Sequence, residues 1–204
     1  MLVPGCSGFD DGRFAEQYGA HSTRLLRAGF AVLRVDYLKA RSVREACAAR
    51  DAGTWEPQIA NDIHQLARTL PDDLNADQSR LYVIGWSMGG GGVLQALSLP
   101  ASLRGAVALY PSCRAVRPWN NRIPTLLILA ALDTIQPAAS CESLVLTIGS
   151  PPSIAVRRFE RAHHGFDIVR TPVVLEPRDT AIVGANPDAA TQAWADILRF
   201  LNGT

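Results

Sequence analysis

One stretch constrains the fold of this chain more than any other, RLYVIGWSMGGGGVLQAL over residues 80–97. Leu81 to Ile84 is a short apolar run rich in β-branched and aromatic side chains, the composition of a buried strand. Gly85-Trp86-Ser87-Met88-Gly89 follows and matches the G-x-S-x-G pattern of a nucleophile elbow. So few residues turn the chain from strand to helix that the serine backbone is strained, and Gly85 and Gly89 must be small because their neighbours come very close. From Gly90 onward Val93, Leu94, Ala96 and Leu97 take helical spacing, so Ser87 would stand at a helix N-terminus, where backbone N–H groups favour negative charge. The bare motif could be a tight structural turn. The strand pattern before it and the helical pattern after it favour a serine lifted clear of the sheet for chemistry.

At 204 residues the chain has the size of one domain, 1–204, large enough to bury a core. A hydrophobic content of 48% with 19% charged residues describes a globular chain, not a disordered one. The net charge of +1 supplies no field for nucleic acid or an anionic membrane, so neither is an expected partner. The longest apolar run, Ile123 to Leu132, is about half of what a bilayer-crossing helix needs. Cys6, Cys47, Cys113 and Cys141 are too few for a disulfide scaffold and lack the paired spacing of a zinc site, so no metal is expected. Each reads most simply as a small buried apolar residue. Cys113 and Cys141 follow consecutive predicted strands and could be bridged in an oxidising compartment.

The chain opens on Met1-Leu2-Val3 and runs directly into the loop-forming Pro4-Gly5-Cys6-Ser7-Gly8. As written it carries no signal peptide, which implies the cytoplasm. The first strand looks cut short, however, so upstream residues are expected to be missing, and the compartment would then be the periplasm or the exterior. Helical spacing over Phe14 to Ala28 ends at Gly29, and Phe30 to Val35 reads as a strand. Lys39 to Asp51 reads as a loop or short helix. Pro57 at a first turn, then Ile59, Ile63, Leu66 and Leu70, marks an amphipathic helix. Strands are expected at Gly105 to Tyr110, Pro124 to Ala130 and Ile154 to Phe159, with helices over Pro137 to Ile148 and from about Pro187 to Leu201. This alternation predicts an α/β chain with a mostly parallel sheet covered by helices on both faces.

Ligands of such sheets bind beyond the carboxyl ends of the strands. Three polar residues fall there: Ser87, Asp133 after TLLILA, and His164 after the strand that begins at Ile154. A serine hydroxyl is a poor nucleophile near neutral pH, so a base must take its proton, and an imidazole suits that task. Asp133 would hold the imidazole tautomer and stabilise the imidazolium. By itself Asp133 reads equally well as a helix N-cap. Of His163 and His164, one should point inward and the other towards solvent, and His164 is preferred. His21 and His64, in predicted helices, read as surface residues. The oxyanion of an acyl transfer needs fixed N–H donors; Met88, after the nucleophile, and Cys6, in the first loop, are the candidates. Cys6 would contribute its backbone, with its thiol incidental.

Taken together, PGCSGFDD, LRVDYLKARSVREAC, GWSMGG, LDTIQPAASCESL and HHGFD resemble the dienelactone hydrolase family of α/β-hydrolases. The resemblance spans nearly the whole chain and implies an α/β-hydrolase fold with truncated N-terminal strands. It matches Ser87, Asp133 and His164 to the family's nucleophile, acid and base, and Cys6 and Met88 to its oxyanion donors. Dienelactone hydrolases proper carry a cysteine nucleophile and a glutamate beside the oxyanion residue; this chain has Ser87 and Gly5. A serine keeps its proton at rest and needs no such glutamate, so the two changes are mutually consistent and point away from dienelactone as substrate. Ala130 also stands where a glycine is common. The expectation is a serine hydrolase of small carboxylic esters or lactones, acting through an acyl-enzyme without cofactor. The alternatives are a non-catalytic binding or interaction protein on a hydrolase scaffold, and an acyltransferase with the same triad.

Overall fold

A computed structural model of the chain describes residues 1–12, 14–47, 52–74, 77–100, 102–119, 122–151, 153–168, 173–174 and 182–204. In chain order the elements are β1 (Leu2–Val3), α1 (Ala15–Arg27), α2 (Ala52–Leu74), β2 (Tyr82–Trp86), α3 (Met88–Ala96), β3 (Gly105–Leu109), β4 (Thr125–Ala130), α4 (Ala138–Ile148), β5 (Ile154–Phe159), β6 (Val173–Val174), β7 (Ile182–Val183) and α5 (Pro187–Gly203). Strands β1 to β5 form one parallel sheet in that order, and β6 and β7 form a small antiparallel pair.

The residues after α1 lie along the free edge of β1. Leu2 N–H donates to Leu33 O and Val35 N–H donates to Leu2 O, both at 2.8 Å. The expected strand over 30–35 is thereby reduced to one bridge, Leu2 to Arg34, because β1 offers only two residues to pair with. The chain therefore steps outward from β1 and then returns to β2 on its other side. Strand order reverses between β1 and β2, and a reversal of this kind is where open α/β sheets place their ligands.

Alternation along the strands separates two cores. Val3, Val83, Ala106, Ala108, Leu127 and Leu129 pack on the face covered by α2, α3 and α4. Leu2, Ile84, Trp86, Val107, Leu109 and Ile128 pack on the face covered by α1 and α5. The central strands β2, β3 and β4 are buried throughout, whereas β5, at the edge, exposes its middle residues. Gly29, at φ 85°, closes α1, and the Asn186 side chain caps α5 by accepting from Ala189 N–H at 3.0 Å.

Three further expectations change. Helix α2 begins at Ala52, ahead of the proline, because Trp55 and Glu56 supply inward-facing side chains before it; the Leu70 side chain and residues 48–51 lie outside the described ones. His21 is not on the surface: it is buried, stacked on Trp86 with ring centroids 5.5 Å apart. The cysteines are not free apolar residues. Cys113 is bridged to Cys141, and Cys6 is bridged to Cys47, a pair separated by 41 positions that no local spacing reveals.

Helix α3 carries four glycines directly after Met88, and the last two of them pack on α2. A Cβ at Gly92 would stand 2.3 Å from Ile59 Cγ2, and one at Gly91 would stand 2.7 Å from a Glu56 carboxylate oxygen. Ile59 is fully buried and β-branched, so it cannot swing aside. Replacing Gly92 by Ala should cost about 1–2 kcal/mol in urea unfolding, the overpacking outweighing the gain in helix propensity. Thiol titration in denaturant should find no free thiol before reduction and four after it. Reduction should lower stability by about 2–4 kcal/mol per bridge.

Candidate active site

The elbow is built by backbone contact. A Cβ at Gly89 would lie 2.2 Å from the Pro4 carbonyl oxygen, and one at Gly85 would lie 2.6 Å from the Gly89 oxygen, so only glycine lets β2, α3 and the end of β1 meet. Ser87 between them has φ 52° and ψ −119°, in the region that disfavours residues with a Cβ. The surroundings hold it there: its N–H donates to Leu109 O at 3.0 Å, and its carbonyl accepts from Gly91 N–H at 2.9 Å and from Ser112 N–H at 3.1 Å.

Ser87, Asp133 and His164 come together. Ser87 Oγ lies 2.9 Å from His164 Nε2, and His164 Nδ1 lies 2.7 Å from Asp133 Oδ2. His164 and Asp133 are both buried. Asp133 also does the local task expected of a loop carboxylate. Its second oxygen accepts the N–H groups of Ile135 and Gln136, each at 2.8 Å, but the cap of α4 is Pro137. The carboxylate is thus fixed at one oxygen by the turn and turned towards the imidazole with the other. His163, half-buried, contacts the Leu132 carbonyl at 3.1 Å through Nδ1.

The His164 loop is held by a segment that the sequence reading did not foresee. Val183 of β7 bridges to His164, Gly184 N–H donates to His164 O at 3.0 Å, and Asn186 N–H donates to Phe166 O at 3.0 Å. A two-residue strand has too little pattern to be seen in advance.

The loop after β1 lies against the elbow: a Cβ on Gly5 would be 3.5 Å from Ser87 Cβ. The Gly5 peptide groups are clamped by two tyrosines. Gly5 N–H donates to Tyr18 Oη at 2.9 Å, and Tyr37 Oη–H donates to Gly5 O at 3.0 Å. Burial pushes both phenols above the usual tyrosine range, so they stay protonated. In a trans peptide the carbonyl and the next N–H point in opposite directions, so fixing Gly5 O fixes the direction of Cys6 N–H. The Cys6 carbonyl is taken by Ala46 N–H at 2.8 Å and its sulfur by Cys47, so its thiol is not incidental but a tether. Buried Met88 lies 3.7 Å through its sulfur from Tyr37 Oη, so one phenol touches both Met88 and the carbonyl of the residue before Cys6. Among the described residues no group of three or more His, Cys, Asp or Glu could hold a metal ion.

The sequence profile of the dienelactone hydrolase family matches residues 13–204. Over 115 residues the chain is 35% identical to cutinase 2 of Thermobifida cellulosilytica, a match that covers 56% of this chain and 41% of the cutinase. Other curated cutinases match over a similar stretch, and the chain spans about a third to two fifths of the length of these relatives. Among solved structures, a dienelactone hydrolase-like promiscuous phosphotriesterase from metagenomic libraries superposes with a TM-score of 0.69 at 18% identity, covering 99% of this chain and 84% of the other. An esterase of Pyrococcus furiosus superposes with a TM-score of 0.65 at 19% identity, covering 99% and 82%. These two likenesses establish the α/β-hydrolase fold.

Beneath the nucleophile helix, Glu56 is buried against Gly91, and burial pushes its pKa up from the ordinary 4.5 to about 7, with the Ser112 hydroxyl acting in the opposite direction. The folded chain therefore binds this proton more tightly than the unfolded one. Its contribution to stability is present below pH 4.5 and is lost as pH rises through about 7. Glu56→Gln should unfold within about 1 kcal/mol of the parent at pH 5 but be more stable by about 2–3 kcal/mol at pH 9, measured by urea titration at both.

Proposed function

The chain belongs to the dienelactone hydrolase family, and from that premise we propose that it is a serine hydrolase cleaving a small carboxylic ester or lactone through an acyl-enzyme. The observation that carries this reading is the continuous run of contacts from Ser87 Oγ to His164 at 2.9 Å and on to Asp133 at 2.7 Å. The similarity to a cutinase and to an esterase favours an ester over other acyl substrates.

In the proposed reaction His164 Nε2 takes the Ser87 proton while Oγ attacks the carbonyl carbon. Charge then develops on the carbonyl oxygen, and the N–H groups of Cys6 and Met88 receive it. Their value lies in being oriented before the reaction, which the Tyr37 and Tyr18 clamps on Gly5 supply for Cys6. His164 next gives its proton to the departing alkoxide oxygen, leaving an acyl ester on Ser87. Water repeats the sequence: His164 removes its proton, hydroxide oxygen attacks the acyl carbon, and the proton returns to Oγ as the acid leaves. Asp133 holds the imidazole and balances its charge during each transfer.

Only residues 110–124 join β3 to β4, too short a stretch for a large lid, so the proposed substrates are small and reach Ser87 from an open side. Among the described residues no helix is long and apolar enough to cross a membrane. Of the two compartments expected from sequence, the Cys6–Cys47 and Cys113–Cys141 bridges favour an oxidising one, the periplasm or the exterior.

Activity should fall steeply from p-nitrophenyl butyrate to the palmitate ester. Ser87→Ala should fold normally by circular dichroism, lose covalent labelling by a fluorophosphonate, and lose at least about a thousandfold in kcat/KM. A well-folded parent protein that neither labels nor hydrolyses any of a panel of esters and lactones would leave a binding protein on a hydrolase scaffold.

A further inference from the structure

Asp167 lies three residues after His164 and has no place in the triad, yet its side chain is wholly buried. Its Oδ1 accepts the Tyr110 hydroxyl at 2.6 Å, its Oδ2 accepts the Trp86 indole N–H at 3.1 Å, and His21 Nε2 lies 3.4 Å from the same oxygen. These partners come from separate parts of the chain. Trp86 ends β2 immediately before Ser87, Tyr110 follows β3, and Asp167 sits on the loop that carries His164.

Tyr110 joins this cluster to the imidazole. Its ring lies edge-on to His164 with centroids 4.8 Å apart, and on another side it meets Phe166 at 5.5 Å. The Tyr110 backbone has φ 35°, a value that side-chain-bearing residues rarely adopt, so the surrounding contacts must hold it there. Two do: its N–H donates to Ile128 O at 2.7 Å and its hydroxyl to Asp167. A buried carboxylate is a costly way to fill a core unless its bonds fix something. His21 is a weak counter-charge, since burial lowers its pKa while the Asp167 charge opposes that.

We propose that Asp167 is a positioning residue: anchoring Tyr110 and Trp86 with one carboxylate, it holds the Tyr110 ring against His164 and keeps the imidazole aligned between Ser87 and Asp133. The inference rests on the serine-hydrolase reading. Without the anchor the Tyr110 hydroxyl would be buried without a partner, the ring would shift, and His164 would sample orientations from which Nε2 does not reach Oγ. Proton transfer would slow while substrate binding stayed the same.

The test compares Asp167→Asn and Tyr110→Phe with the parent and with Ser87→Ala. It reads steady-state kinetics on p-nitrophenyl acetate and the downfield proton resonance of His164 Nδ1–H in its bond to Asp133. Asp167→Asn should lose about 10- to 100-fold in kcat with KM within about twofold, and Tyr110→Phe, which keeps the ring but drops the hydroxyl, about 3- to 10-fold. The resonance should broaden in both and stay sharp in Ser87→Ala. Variants that keep kcat within twofold and a sharp resonance, or that change KM alone, overturn the inference. If Asp167→Asn does not fold, Tyr110→Phe decides by the same criteria. If the parent protein hydrolyses nothing, the serine-hydrolase reading falls, and the resonance alone decides whether Asp167 orients His164.

Discussion

A contact between backbones governs this molecule. At Gly89 helix α3 comes so near the end of β1 that a single methyl carbon would sit 2.2 Å from the Pro4 oxygen. That approach brings the loop bearing Cys6 against the elbow bearing Ser87, where the strand order reverses between β1 and β2. It also forces Ser87 into its unfavourable backbone angles, whose cost, on the order of 1–3 kcal/mol, must be met by the rest of the fold. The bonds from Ser87 to Leu109, Gly91 and Ser112 are the local part of that compensation.

Around this contact the expected site residues are each held through both ends of their chemistry. Asp133 spends one oxygen on its own turn and offers the other to His164. The His164 loop is pinned by β7 and linked, through Asp167, to Trp86 at the end of β2. Cys6 is fixed through the neighbouring peptide, its own carbonyl and its sulfur. Side chains and peptides held by several bonds at once are already ordered before any ligand arrives.

Much of this was legible in the amino-acid order, and the omissions have physical causes. The run YVIG before WSMGG declares a buried strand and a sharp turn, because composition and sterics act locally there. The central strands β3 and β4 and the helices α1, α4 and α5 follow the same logic, their bounds shifted by a residue or two. Ser87, Asp133 and His164 were readable as a set because parallel sheets gather strand ends on one rim. What escaped depends on partners far away in sequence. Cys47 finds Cys6 across 41 positions, and His21 is drawn inside by Trp86 and Trp194, although its own helix offers no sign of it. Asp167 stood in view in HHGFD, but only the convergence of Trp86 and Tyr110 on it gives it a role.

The glycine run that opens α3 bears on how the protein reaches its working form. Gly89 to Gly92 together weaken an isolated helix by roughly 4 kcal/mol relative to alanines, so this short segment has no tendency to coil by itself. It becomes helical only when α2 and the end of β1 have closed on it. A newly made or partly unfolded chain therefore lacks the fixed elbow, and the contact of the Ser87 hydroxyl with His164 forms only in molecules that have completed their tertiary assembly. The Ser87–His164 contact is in that sense a gauge of nativeness, sensitive to damage on the inner face of α2 as much as to damage beside the serine itself.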